Sequence, residues 1–188
     1  MPFTTFELQP TLIGELLELH PLRPDHFEAL FAVASDPLIW EQHPEPDRYK
    51  REVFQKYVDG AMASGGAFAI IDRKSGRIIG SSRYCNLNLS EVEIGWTFLE
   101  RAFWGGNYNG ELKRLMLNHA FRFVDRVLFV VGENNLRSQK ALEKIGARFL
   151  RKEPVPGSNS RSKANFLYLI TRTAWSDALC SIHSPNRT

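Results

Sequence analysis

The run VLFVV, residues 127–131, is apolar at every position. A strand with one face in water alternates apolar and polar residues. An unbroken run fits a strand covered on both faces, which is the environment of an internal, parallel strand. Parallel neighbours need a crossover rather than a tight turn. The preceding residues supply one: Leu112, Leu115, Met116, Ala120 and Phe123 recur at helical spacing and predict an amphipathic helix. Before it, SEVEIGWTFL, residues 90–99, is rich in β-branched and aromatic residues and reads as a strand. Strand, helix and buried strand make one βαβ unit. That unit sets the fold class as α/β (α+β) around a mixed sheet.

The remaining segments extend this core. Leu12–Leu19 reads as a strand. A helix opens near Pro24, with Phe27, Leu30 and Phe31 at helical spacing, and Pro37 ends it. Residues 47–64 read as a second helix, with Val53, Tyr57, Val58 and Met62 on one side and Gly65-Gly66 as the stop. AFAIID and RIIGSSRYC are strands joined by the turn RKSG, residues 73–76. After the buried run come a helix over 136–145 and the strands RFLRK and NFLYLI, split by PVPGSNSRSKA. The 188 residues fit one domain, 1–188, with a core of about 11–178 and a flexible tail at 181–188.

Charge and cysteine usage narrow the partners. There are 24 basic and 21 acidic residues, and the basic ones are scattered. That argues against a nucleic-acid binder, which shows a dense basic stripe. Cys85 and Cys180 have no metal-type spacing, so the reading is no metal, no disulfide framework and a reducing cytoplasm. No stretch approaches a membrane span and the first ten residues lack a signal-peptide pattern, so no membrane partner is expected.

Three glycines and two asparagines crowd into residues 105–110 at the entrance to the predicted crossover helix. A helix start leaves backbone N–H groups unpaired at the positive end of its dipole. Gly105, Gly106 and Gly110 have no side chain to bar close approach. Asn107 and Asn109 tolerate left-handed geometry better than most residues. With Trp104 and Tyr108, the stretch suits a cradle for phosphate oxygens. It lacks the Lys-Ser/Thr end of a nucleoside-triphosphate loop. A sharp strand-to-helix turn without a ligand is equally compatible with the composition.

VEIGWTFL, the loop WGGNYN, the helix GELKRLMLNHAF and the later NNLRSQKALEKIGA together resemble the GNAT superfamily of acyl-CoA-dependent N-acetyltransferases, and within it the ribosomal-protein N-terminal acetyltransferase-like group. The resemblance covers most of the chain, from LLELHPL to FLYLI. It implies a mixed, splayed sheet flanked by helices, with acetyl-CoA as acyl donor between two diverging strands and its pyrophosphate on the loop 104–110. It implies Asn135 on the pantetheine arm and Ser138 one helical turn on, near the thioester sulfur. Asn135 at a predicted helix start also fits a simple cap. Many members of the superfamily carry a proton-donating tyrosine at the place of Leu142, which leaves Ser138 as the candidate acid. Trp104, Asn107 and Asn109 depart from the family's loop pattern.

Acetyl transfer to an amine needs a proton acceptor. Alternation puts Glu91, Glu93, Gly95 and Thr97 on one strand face and Val92, Ile94, Trp96 and Phe98 on the other. Glu93, central in that strand, is the candidate base; a structural pairing with Arg83 is the competing reading. The backbone N–H near Phe98 is a candidate oxyanion donor. Trp40, Arg83 and Tyr84 are candidate acceptor-binding residues. The acceptor is a primary amine, on a small molecule or a protein N-terminus, and a homodimer is compatible. The alternatives are a non-catalytic acyl-CoA-binding or regulatory module on the same fold, and a nucleotide-phosphate enzyme, for which the lysine and acidic metal ligands are missing.

Overall fold

The computed structural model describes residues 5–155 and 164–183. In chain order the elements are β1 (Leu12–Ile13), β2 (Leu17–Pro21), α1 (Phe27–Ala34), α2 (Arg51–Ser64), β3 (Ala67–Asp72), β4 (Ile78–Cys85) and β5 (Glu91–Leu99). Then come α3 (Tyr108–Ala120), β6 (Arg126–Gly132), α4 (Leu136–Lys144), β7 (Arg148–Pro154), β8 (Ala164–Thr171) and α5 (Arg172–His183). The strands form one eight-stranded sheet in the order β1-β2-β3-β4-β5-β6-β8-β7. Every neighbouring pair is antiparallel except β5 with β6. The βαβ crossover implied by the sequence therefore exists, with β6 parallel to β5 and internal. No described helix is long and apolar enough to cross a membrane.

The parallel pairing is short. It joins Glu91 to Arg126, Val92 to Val127 and Glu93 to Leu128, and then stops. β5 continues to Leu99 and β6 to Gly132 without pairing to each other. β6 is accordingly not covered on both faces: Val130 is exposed where the strands part, while Val127 and Phe129 are buried.

Two apolar clusters sit on the two sheet faces. Against α3, Leu17, Leu19, Phe68, Ile70, Val92 and Ile94 pack with Leu112, Met116 and Leu117. Against α1 and α2, Ala67, Ala69 and Phe98 pack with Leu30, Val33, Phe54, Tyr57 and Val58. The buried side of α2 is Phe54, Tyr57, Val58 and Ala61; Val53 is off it and Met62 is exposed.

The simple alternation expected for β5 fails at one place. The β4–β5 register shifts between Ser81, opposite Phe98, and Arg83, opposite Gly95. The extra residue bulges at Trp96, whose φ is +57°. Val92 and Ile94 face α3, but after the bulge Phe98 joins the α1–α2 cluster on the opposite face. A β-bulge flips the facing of every residue beyond it.

The expected strand Leu12–Leu19 is a tight hairpin instead, with Leu12 opposite Leu19 and Ile13 opposite Glu18. The reason lies in α3. The buried Glu111 carboxylate accepts the backbone N–H groups of Glu15 and Leu16, each at 2.8 Å, and of Leu17 at 3.0 Å. Gly14 leaves room for that carboxylate, because a Cβ at that position would lie 2.6 Å from the Glu111 carboxyl carbon and push it aside. Residues 181–183, placed in the tail by sequence, close α5, a helix the sequence reading missed. The rest of that tail, 184–188, and residues 156–163 of the β7–β8 connection lie outside the described residues.

Glu111→Gln replaces one acceptor oxygen with a donor facing those N–H groups. Charge-assisted hydrogen bonds contribute about 1.5–3 kcal/mol each, and strained neighbours do not add fully. We expect a loss of ~3 kcal/mol, read as a fall of roughly 6–12 °C in Tm by calorimetry.

Candidate active site

Where β5 and β6 part, a cleft of about 1230 Å³ opens. Its walls come from Thr97–Leu99 of β5, the loop 103–107, the first turn of α3, residues 135–138 at the start of α4, and the α1–α2 connection at Ile39, Trp40, Gln42 and His43. In an antiparallel ladder, neighbouring residues point their N–H and C=O groups in opposite in-sheet directions. Glu100 N–H donates to Ile79 O at 2.8 Å, so Glu100 and Phe98 address β4. Thr97 and Leu99 therefore present their backbone to the split.

The glycine–asparagine loop forms the floor. Gly105 holds a left-handed φ of +75°. Asn107, expected to be left-handed, is right-handed at φ −84° and is the N-cap of α3, without a side-chain cap bond. Asn109 lies inside the first turn and is not the cap. The first N–H groups of the helix, at Tyr108, Asn109 and Gly110, have no intrahelical partner. The acidic residue of that turn, Glu111, spends its carboxylate on the β1–β2 turn. A Cβ added at Gly105, Gly106 or Gly110 would meet no atom within 4 Å. Packing within the protein thus does not demand glycine at 106 or 110, and the space over the helix start is open.

The side chains around the floor are anchors. Trp104 donates its indole N–H to Leu99 O at 2.9 Å. Tyr108, expected to contact the cofactor, turns away from the cleft; its hydroxyl donates to Asp72 at 2.8 Å and its ring packs on Phe103. Only its backbone N–H remains at the open helix start. Arg114, Arg137, Lys140 and Lys144 also line the cleft. Arg137 stacks over Trp104 at 4.0 Å and donates to Ile39 O at 3.0 Å, so it reaches from α4 to the α1–α2 connection. Sequence reasoning passed over these cations, although positions 137, 140 and 144 share one helix face.

Asn135 is the N-cap of α4, its side-chain oxygen accepting Ser138 N–H at 3.2 Å. Both residues line the cleft, so the cap geometry and a place on the cleft wall coexist. Leu142 is buried in the α3-side cluster.

Glu93 lies at the end of the parallel pairing, half-buried. Its carboxylate accepts Asn86 Nδ2 at 2.7 Å and forms no ion pair with Arg83. Burial raises its pKa, with the Asn86 hydrogen bond and the Arg83 charge opposing. Arg83 and Tyr84, consecutive on β4, face opposite sides and cannot share a cleft. Tyr84 is a core residue, fully buried, with its hydroxyl donating to Met116 O at 2.6 Å. Arg83 lies under Trp96, 3.8 Å from its ring. Trp40 is not an exposed loop side chain: it is 2 % exposed, donates to Ala34 O at 2.7 Å and packs on Phe98, with one edge on the cleft.

A residue unnoticed in the sequence sits beneath the split. Lys113 of α3 is buried, and its Nζ donates to Thr97 Oγ1 at 2.7 Å, which in turn pairs with Ser82 Oγ at 2.7 Å. Burial lowers its pKa to about 7. Periodicity alone offered no signal, since a lysine in a helix is normally solvated. Among the described residues no group of three or more His, Cys, Asp or Glu side chains is placed to hold a metal.

A family profile described as an acetyltransferase (GNAT) domain matches residues 17–148. Among solved structures, a GCN5-related N-acetyltransferase from Brucella melitensis superposes with a TM-score of 0.80 at 21% identity, covering 98% of this chain and 88% of that one. Mycobacterium smegmatis RimJ, solved in complex with CoA-disulfide, gives 0.70 at 19% identity, with 92% and 94% covered. A protein described as a ribosomal-protein-serine acetyltransferase from Vibrio cholerae gives 0.72 at 14% identity, with 86% and 97% covered. These likenesses speak to the fold, and the profile speaks to the family.

Lys113 makes stability pH-dependent in a definite sense. Its folded pKa is lowered from 10.5 to about 7, so between those values the unfolded chain binds more protons. Stability then rises with pH, by at most about 1.4 kcal/mol per unit, and the contribution is flat below 7. Relative to Lys113→Met, the wild type should gain stability from pH 7 to 10 in urea titrations. Parallel pH profiles for the two proteins would contradict the buried amine.

Proposed function

The chain belongs to the GNAT acetyltransferase family, whose members use acetyl-CoA, and on that premise we propose that it is an N-acetyltransferase of the ribosomal-protein N-terminal acetyltransferase-like group. It transfers an acetyl group from acetyl-CoA to a primary amine by direct attack in a ternary complex. The observation that carries this reading is the coincidence of two features in one cleft: a sheet edge freed by the parting of β5 and β6, and uncapped N–H groups over a glycine floor. A polar chain ending in a diphosphate fits the two together.

When bound, acetyl-CoA supplies an activated acyl group on a good leaving thiol. The chain's own residues do the rest. N–H groups of 106–110 hold the pyrophosphate, with Arg114, Arg137, Lys140 and Lys144 offsetting its charge. The split-facing backbone of Thr97 and Leu99, flanking Phe98, orients the pantetheine arm and offers an N–H to a developing oxyanion. Glu93 takes the proton of the attacking amine, directly or through water. Its burial-raised pKa brings it closer to the working range of a base. Ser138, with Asn135 holding the helix start, gives a proton to the departing sulfur.

Two measurements test this. Gly106→Val places a side chain where no protein atom stands within 4 Å, so folding should be unaffected. Calorimetric affinity for acetyl-CoA should nonetheless fall about tenfold or more, ~1.4 kcal/mol. Unchanged affinity in the folded variant would move the pyrophosphate elsewhere.

Glu93→Gln should lower turnover ~10²-fold at unchanged acetyl-CoA affinity and remove the acid limb of the pH–rate profile. Acetyl-CoA binding without turnover of any amine by the wild type would favour a non-catalytic acyl-CoA-binding module instead.

A further inference from the structure

On the α2 side of the bulge, two arginines are buried without an ion-pair partner, the Glu45 and Glu93 charges acting on them only from a distance. Arg48, in the 3-10 turn Pro46–Tyr49, is 6 % exposed and Arg83 is 7 % exposed. Both guanidinium groups stack on Trp96, at 4.9 Å and 3.8 Å, and both approach the Tyr57 ring, at 5.2 Å and 6.0 Å. Among the described residues neither has a carboxylate at ion-pair distance. Arg83 Nε is the buried side-chain polar atom, among those described, with no hydrogen-bond partner. Arg48 is short of an acceptor too. Its Nη1 lies 3.1 Å from His43 Nε2, while Glu45 N–H points at Nδ1 of the same ring at 2.9 Å. Burial and the Arg48 charge push the His43 pKa down to about 3, so the ring is neutral. A neutral imidazole has one acceptor nitrogen, so one of the two donors goes unmet.

Aromatic faces attract these cations by an amount far below the cost of leaving buried guanidinium donors unpaired. The missing partner is an anion able to accept several N–H bonds at once. The arrangement adjoins the transfer site. His43 and Trp40, which contact Arg48, line the cofactor cleft, and the Glu93 charge is felt at Arg83. Trp96, which stacks on both guanidinium groups, is itself 43 % exposed. Its left-handed backbone is an outlier for a bulky residue, and the bulge holds the ring over Arg83.

We propose that Arg48 and Arg83 form the anion-recognition end of the acceptor site, so that the amine substrate carries a compact carboxylate. This deepens the N-acetyltransferase reading and rests on it. The carboxylate docks on the two guanidinium groups against the aromatic wall of Trp96, Tyr57 and Trp40. The amine at the other end of the molecule is left toward Glu93 and the split. A free amino acid and a peptide N-terminus bearing an acidic side chain present the same chemistry from two sources.

The test uses the full chain saturated with CoA and calorimetric titration of matched amines. One arm compares tryptophan with tryptamine and β-alanine with propylamine. The other compares Ser-Asp-amide with Ser-Asn-amide. In at least one arm the carboxylate member should bind tenfold or more tighter, and the arm identifies the source. Arg48→Gln and Arg83→Gln should each abolish the difference at unchanged CoA affinity, which also reports that the variants fold. Arg83→Lys should restore part of it. No preference in either arm, no binding by any amine, or a preference that survives both glutamine variants overturns the proposal. Acetylation assays on the same amines separate the two readings. Carboxylate-selective binding without acetylation keeps the site and removes the enzyme, and acetylation without selectivity does the reverse.

Discussion

Two parallel strands that hold together for three residue pairs and then part create the working space of this protein. The separation of β5 from β6 beyond Glu93 and Leu128 leaves backbone groups of Thr97 and Leu99 without a strand partner. In a closed sheet those groups would be spent on the ladder. Here they line a cleft into which α3 directs its N-terminus and α4 its cap. Lys113 lies below the same opening, bonded to Thr97. Burial lowers its pKa to about 7, and an amine, unlike a guanidinium, can give up its proton there.

Keeping the positive end of α3 free has a structural condition. A carboxylate in a first helical turn normally serves its own helix end. Glu111 instead reaches back to three backbone N–H groups of the β1–β2 turn. That single contact closes the N-terminal hairpin, ties it to the crossover helix and engages the Glu111 carboxylate away from its own helix end. Asn107 likewise stands at the cap without a side-chain bond. The helix start is therefore stabilised from outside the helix, and its N–H groups stay available.

The bulge at Trp96 divides β5 into two halves with opposite facing. Before it, Val92 and Ile94 build the α3-side core. After it, Phe98 builds the α1–α2 core, and Thr97 meets Lys113. One inserted residue thus lets a single strand serve both cores, line the cleft and carry Trp96 out over Arg83 and Arg48. The proposed acceptor side and the cleft meet at this point in the sheet.

The sequence by itself determined the class and most of the elements, but not α5 or the β1–β2 hairpin, which it read as one strand. Apolar periodicity marked α3, the unbroken run 127–131 marked a parallel internal strand, and the crowding of glycine and asparagine marked the loop at the helix entrance. Those signals are local, because period and turn chemistry are written in neighbouring residues. Only the tertiary structure decided which side chains reach the cleft. Tyr84 proved to be core, Tyr108 an anchor on Asp72, Asn107 right-handed with the positive φ at Gly105, and Trp40 a packed wall. Arg48, Arg137 and Lys113 were silent in the sequence, because a cation announces nothing about its burial until distant elements close over it. Facing along β5 was undecidable for a related reason: a bulge leaves no period of its own, and the strand's neighbours, not its residues, fix where the register slips.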